Sequence, residues 1–423
     1  MRAADEVTSG LDLFDPGFVA RPDEPLASLR EHAPVHHDPR TGLWLVSRHS
    51  DIRAVLAAPE TFHPDNALTA VTPLPVPTLR MLAGAGFALP PTLANNGTDS
   101  HTGLRRVVAS FLTPARVQHA MELTSRLAAD GVERARQELA ENGQCDLVEL
   151  IARDLPCLVL LHLLGIGDVD LPVLKAWSKA SLELFWGNPD PLRQRELAEQ
   201  AAEFHQWLAC RVRAARPGQP DLFGALAAHR KPSRRPLRVA EAVGVCYFLL
   251  IAGQETTTQL LSTLLRRCVE REDLWRGLSG GDAGLAADCV EEVLRREPPV
   301  ITWRRVTGDA TTLGGVELPA RAQLLLMLAG SGSDPEVFTE PENLCPGRPG
   351  ARRHLAFGHG RHFCLGAGLA RAEAAVVLDT VARALPDLRL LEPDPPMLGL
   401  LSFRAPTRLL VGHSRAYGRV QAR

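Results

Sequence analysis

Two short N-terminal runs, Val35–His37 and Trp44–Ser47, carry strand-like apolar patterns. Pro39 and Gly42 punctuate the six residues between them, so the pattern predicts two strands joined by a turn over Asp38–Gly42. Residues 66–98 are rich in Pro, Gly, Thr and Asn and hold no steady period, which reads as a long loop with one helical piece. From residue 101 a helical period takes over. Thr113-Pro114 supplies an N-cap and a first-turn proline for a helix running to about Asn142. Further helical patterns fall near residues 145–165, 171–187, 191–215 and 282–297. Arg238 to about Glu270 reads as one helix of about 50 Å at ~1.5 Å per residue. Strand patterns follow at Thr312–Leu318 and Gln323–Leu328, and a last helical pattern at Ala367–Leu385. The chain is thus expected to be mainly α with minor β.

Composition narrows the class without naming the chemistry. The 423 residues are 45% hydrophobic and 23% charged, a globular balance that excludes disorder, collagen and coiled coil. Basic and acidic residues nearly cancel to a net charge of −2, which argues against nucleic-acid binding through a broad basic field. The basic residues are nearly all Arg; the lysines are Lys175, Lys179 and Lys231. The longest apolar runs, Leu155–Gly165 and Val243–Gly253, fall short of the ~20 residues that span a bilayer. The N-terminus is polar and lacks a signal-peptide core, so no membrane and a cytoplasmic location are expected. Eight cysteines are scattered with no C-x-x-C pair, which reads as free thiols and not as a disulfide framework. About 150 residues per domain would allow three domains.

The most informative segment is HLAFGHGRHFCLGAGLARAE, His354–Glu373. Cys364 ends a Gly-punctuated loop and stands just before a helical pattern. A thiolate there is favoured by free backbone N–H groups and the positive end of the helix dipole. Gly358, Gly360 and Gly366 permit close approach of a flat, bulky cofactor, and Phe357 and Phe363 supply apolar cover. A zinc site of His354, His359, His362 and Cys364 matches no common zinc spacing. Read from the residues alone, the segment is a cradle for a thiolate metal ligand.

The string F-G-x-G-x-[HR]-x-C-x-G resembles the haem-thiolate loop of the cytochrome P450 superfamily. The resemblance implies the cytochrome P450 fold and haem b, with Cys364 as the metal ligand and Phe357, His362 and Gly366 against the cofactor. Thiolate ligation favours O–O cleavage. Three further motifs lie in the family's order. Glu292 and Arg295 share a helix face before the haem loop, and Arg348 falls where the family places the third member of that ion network. Ala252-Gly253-Gln254-Glu255-Thr256-Thr257 sets an acid and a hydroxyl beside small residues in an apolar helix, where polar groups are costly to bury. It resembles the family's A-G-x-[DE]-T oxygen-binding groove. That implies Ala252 against the haem, Thr256 as the residue holding a water for proton delivery, and Glu255 as its link to solvent. His101 and Arg105, four apart on a new helix, match the pair that holds haem propionates. Arg305 and His362 match two further propionate contacts. Arg304 is adjacent, and Arg305 is preferred because it aligns without gaps from Pro298 to Leu313.

These motifs converge on one haem, so a single domain over 1–423 is expected despite the length. The resemblance implies a soluble bacterial monooxygenase that oxidises an apolar small molecule, plausibly in secondary metabolism. Electrons would come from a separate ferredoxin or flavodoxin, docking where Arg352, Arg353, Arg361 and Arg371 flank the haem loop. Oxidative coupling of an aromatic substrate and a non-catalytic haem sensor are the alternatives. The pocket over the haem is expected to draw on Phe185, Trp186, Val300, Ile301, Trp303, Leu400 and Leu401.

Overall fold

The computed structural model of the chain describes residues 11–282 and 284–413. The polar N-terminus considered above therefore lies largely outside the described residues, as does Ala283 within the expected 282–297 helix.

The expected mixture holds: long helices with three small sheets. Seven helices position the site: α1 (Ser100–Ala109), α2 (Pro114–Asn142), α3 (Leu171–Trp186), α4 (Val239–Ala252), α5 (Glu255–Val269), α6 (Leu285–Arg296) and α7 (Ala367–Ala384). Sequence caps account for their starts. The Thr113 hydroxyl accepts from the Arg116 N–H at 3.4 Å to open α2, and Asp170 does the same for Val173 at 3.1 Å in α3. One apolar cluster gathers α2, α5, α6 and α7; a second gathers α1, α3 and α4 with neighbouring helices.

The main sheet has five strands in the order β1-β2-β8-β5-β3. They are β1 (Val35–Asp38), β2 (Leu43–Val46), β3 (Phe62–His63), β5 (Trp303–Thr307) and β8 (Gln323–Leu326). β2 runs parallel to β8, and the other pairs are antiparallel. β4 (Gln144–Asp146), β9 (Leu388–Leu390) and β10 (Leu410–His413) form a second sheet.

Three expectations need correction. The run at Thr312–Leu318 is not one strand but a hairpin of β6 (Thr311–Leu313) and β7 (Val316–Leu318). Gly314 and Gly315, at φ +57° and +81°, make the tight turn that other residues resist. The 145–165 pattern opens with β4 and a π-helical turn (Val148–Ala152) before the Leu155–Leu164 helix. The Asp146 carboxylate accepts from both Val148 and Leu409 N–H at 2.9 Å, which fixes that strand to β10. The long 238–270 helix is broken at Gly253–Gln254 into α4 and α5. There the Thr256 hydroxyl donates to the Ala252 carbonyl at 2.7 Å. Such back-bonding beside a glycine opens a helix. A Cβ at Gly253 would stand 2.9 Å from Leu160 Cδ2, so only glycine lets this turn press on its neighbour. Among the described residues Val239–Val269 is the one stretch long and apolar enough to cross a bilayer by composition, and most of it is buried inside the protein.

On α6, Glu292 and Arg295 are both 0% exposed and form a two-pronged ion pair at 2.9 and 2.8 Å. The same carboxylate accepts from Arg348 Nε and the Cys345 N–H, each at 2.9 Å. Burial alone would raise the Glu292 carboxyl, but Arg295, the Cys345 N–H and Arg348 outweigh it and hold it below the ordinary value.

A candidate haem site with a cysteine at its floor

A cavity with an empty volume of about 1630 Å³, open in part to solvent, lies between α1, the α4–α5 break, β5 and the start of α7. The Cys364 loop forms its floor. The Cys364 N–H donates to the Phe357 carbonyl at 2.9 Å and the Gly358 N–H to the Leu355 carbonyl at 2.8 Å, which closes the loop on itself. Gly358 and Gly360 sit at φ +71° and +68°. A Cβ at Gly360 would stand 2.8 Å from the Leu56 carbonyl oxygen, so the loop could not lie here with a larger residue. Cys364 keeps free surface, and it faces the cavity. Burial pushes its thiol up, while the Gly366 N–H, Arg105, Arg371 and the Ala367 N–H pull it back. The guanidinium of Arg371 covers the Phe357 ring at 4.5 Å on the protein side of the loop.

One wall concentrates donors. His101 and His362 lie ring to ring at 4.5 Å, Arg105 donates from Nη2 to the Phe363 carbonyl at 2.6 Å, and Arg305 is almost fully buried. His362 Nε2 is buried without a partner. Burial, and then the neighbouring arginines, push His101 down to about 4 and His362 to about 3, so both are neutral. Burial pulls Arg305 down to about 10 with no acid opposing it. Among the described residues no carboxylate pairs with Arg105 or Arg305. A wall of guanidinium groups and orphaned imidazole, facing an apolar cavity, calls for an anion with two acidic arms.

Of the residues singled out from sequence, His101, Arg105, Ala252, Thr256, Arg305, Phe357, His362, Cys364 and Gly366 all line this cavity. Glu255 does not. Its carboxylate turns to Lys175 on α3, with Nζ–Oε1 at 2.6 Å and both side chains 13% exposed. Sequence reading missed that partner; the available signal was the rarity of lysine in an Arg-rich chain. The Arg304/Arg305 alternative resolves by strand alternation: Arg305 faces the cavity, and Arg304 points to the opposite face of β5. Much of the remaining lining is apolar. Trp186 stacks on Trp303 with centroids 6.2 Å apart and meets Phe403 edge-on at 5.1 Å. Val300 joins them, together with Phe248, Leu93 and Leu182, which sequence reading did not single out. Phe185, Ile301, Leu400 and Leu401 instead turn into the core.

A planar dianionic macrocycle whose metal takes one sulfur ligand fits these residues: thiol below, donors at one edge, apolar cover around. The site thus defines a haem-thiolate protein. Comparison with known proteins carries the matter further. The cytochrome P450 family model matches residues 284–385. The chain is 33% identical over 361 residues to erythromycin C-12 hydroxylase of Saccharopolyspora erythraea, covering 84% of this chain and 85% of that one. It is also 33% identical over 382 residues to cytochrome P450 monooxygenase PikC of Streptomyces venezuelae, covering 88% and 86%. Among solved structures, cytochrome P450 CREJ in complex with (4-ethylphenyl) dihydrogen phosphate superposes with a TM-score of 0.88 at 28% identity, over 96% of this chain and 99% of that one. The chain belongs to the cytochrome P450 family. It is a P450 monooxygenase with haem b as its cofactor, acting on an apolar substrate with electrons from a redox partner.

Proposed function

We propose that the enzyme hydroxylates or epoxidises an apolar small molecule of bacterial secondary metabolism, receiving electrons from a separate ferredoxin or flavodoxin. The observation that carries this reading is the apolar lining that Trp186, Trp303, Phe403, Phe248 and Val300 give to the cavity that Thr256 also lines. The names of two relatives, erythromycin C-12 hydroxylase and cyclomarin C epoxidase CymV, support it. One domain, built around this one cavity, and a cytoplasmic location are part of the same proposal.

The bound haem would supply oxygen activation; the protein's own groups hold, orient and deliver. Cys364 would hold the haem metal through its sulfur, as the thiolate. His101, Arg105, Arg305 and His362 hold the acidic arms, while Ala252, Phe357 and Gly366 keep the faces dry. Thr256 already donates its hydroxyl hydrogen to Ala252, so towards the cavity it can only accept a hydrogen bond. It therefore acts by holding a donor, a water or a protonated oxygen, and not by giving up a proton itself. Glu255 lies one residue before, outside the cavity wall, where it passes protons inward from solvent; Lys175 is the positioning residue that fixes its carboxylate. Arg352, with its side chain 76% exposed and only a 3.6 Å approach to Glu291, is the most open of these flanking arginines to an acidic electron donor. Arg371 is held by Glu291, and Arg361 by the Gly97 and Thr98 carbonyls.

Thr256→Ala should still bind substrate but lose the held donor. Product formed per oxygen consumed is expected to fall about tenfold, with the balance released as hydrogen peroxide. Full product yield per electron would refute the role. Lys175→Met should leave the Soret band and substrate affinity unchanged while raising the peroxide share about threefold. An unchanged share would make Lys175 merely structural. The substrate class is tested by the spin-state shift of the haem against a panel of compounds; charged compounds shifting it and apolar ones failing would overturn the reading.

A further inference from the structure

A second cavity lies on the other side of β5, with an empty volume of about 930 Å³ continuous with solvent. Strand alternation puts the two adjacent arginines on opposite faces. Arg305 faces the haem cavity and its acidic counterions. Arg304 lines the second cavity, 5% exposed, and has none. Its Nη2 donates to the Thr69 and Ala67 carbonyls at 2.6 and 3.3 Å, and its Nε is buried without any partner. Among the described residues it makes no ion pair. Burial pulls its pKa down to about 10, and no neighbouring acid raises it.

The other charges around the cavity are already matched. Asp65 lies within 3.9 Å of Arg321 and 3.8 Å of His63, all three well exposed at the mouth. Arg321 is held there with φ at +63°, and the Asn66 amide closes the floor by donating to the Gln323 oxygen at 2.7 Å and to the Arg305 carbonyl at 2.9 Å. One uncompensated guanidinium therefore remains beside solvent-connected space. A buried cation left unpaired is costly, and a planar fork of N–H donors is matched by a carboxylate.

We propose that this cavity is a binding site for a small organic carboxylate, held by Arg304. A single negative charge balances the one guanidinium that has no acid beside it. A phosphate dianion would overshoot it and meet Asp65. Because Arg304 and Arg305 are consecutive on β5, the ligand sits on the opposite face of the same strand from the cofactor-holding arginine, with the Asn66 bond to the Arg305 carbonyl between them.

The test is equilibrium dialysis of haem-loaded enzyme with radiolabelled acetate at constant ionic strength, with inorganic phosphate as competitor. One saturable acetate per chain is expected, with no movement of the Soret band. Affinity should be at least about tenfold weaker in Arg304→Gln, and phosphate should compete poorly. If Arg304→Gln does not load haem, Arg304→Lys, which keeps the charge but not the fork, must show the same weakening. The proposal is overturned by an absence of saturable binding or by unchanged affinity in the variant. A Soret shift accompanying acetate would move the ligand to the haem cavity, and phosphate binding more tightly than acetate would reject the carboxylate class; either result also overturns it.

Discussion

Cys364→Ser is expected to abolish the red-shifted Soret band of reduced enzyme with carbon monoxide, while the variant still takes up haem. Both halves of that result follow from the geometry. The thiolate character of the band depends on one sulfur, which the loop holds at the cavity floor through the Cys364 N–H to Phe357 carbonyl bond. Retention depends on a different set of groups, His101, Arg105, Arg305 and His362, none of which the substitution touches. A hydroxyl remains as a poor ligand, so haem should be held about as well at its edge and far less well at its metal. The spectrum of reduced, CO-bound protein and the haem content of purified material check the two halves separately. Persistence of the thiolate band in the variant would remove Cys364 from the ligand position.

Glu292→Gln should be the most damaging substitution outside the site. It keeps the volume but strips the charge that Arg295 and Arg348 share, leaving two guanidinium groups without their acid in a dry interior. Removing one partner of such a buried pair costs about 3–5 kcal/mol. Urea unfolding of the haem-loaded protein reads the loss, and one below about 1 kcal/mol would show the network to be dispensable. The sign with pH is also fixed. Glu292 is held below its ordinary value, so its stabilisation is present above that value and fades as pH falls through the lowered one. The gap between wild type and variant therefore closes in acid. The same region tolerates no added atom: a Cβ at Gly332 would stand 1.8 Å from the Arg295 carbonyl oxygen.

What could be read from the chain tracks how local its causes are. The helix Pro114–Asn142 announces itself through Thr113-Pro114 because a cap is a contact between near neighbours. The three-residue strand Gln144–Asp146 carries no comparable mark; its partner is Leu410–Gly412, joined only by the tertiary fold. The break after Ala252 was legible as a weak point, Gly beside Thr, but not as an interruption, since its depth depends on Leu160 packing against Gly253. In the site, the cysteine loop is one contiguous string and could be read whole. The bond between Glu255 and Lys175 could not, because 80 residues separate them and no spacing joins them; the rarity of lysine marks Lys175 without naming its partner. Arg304 and Arg305 were separable only by register, which pairing with Leu325 and Leu324 supplies.

The donor wall has a consequence for how the protein is made. Before the cofactor arrives, the folded chain must keep Arg305 buried with no acid beside it, and His362 Nε2 buried without a partner. Each of these is a penalty that the unfolded chain does not bear. A dianionic ligand that binds only the folded form relieves them and adds its own binding free energy to stability. The yield of folded protein from a producing cell should therefore track haem supply rather than synthesis rate, and starvation for iron should thin out the protein along with its activity.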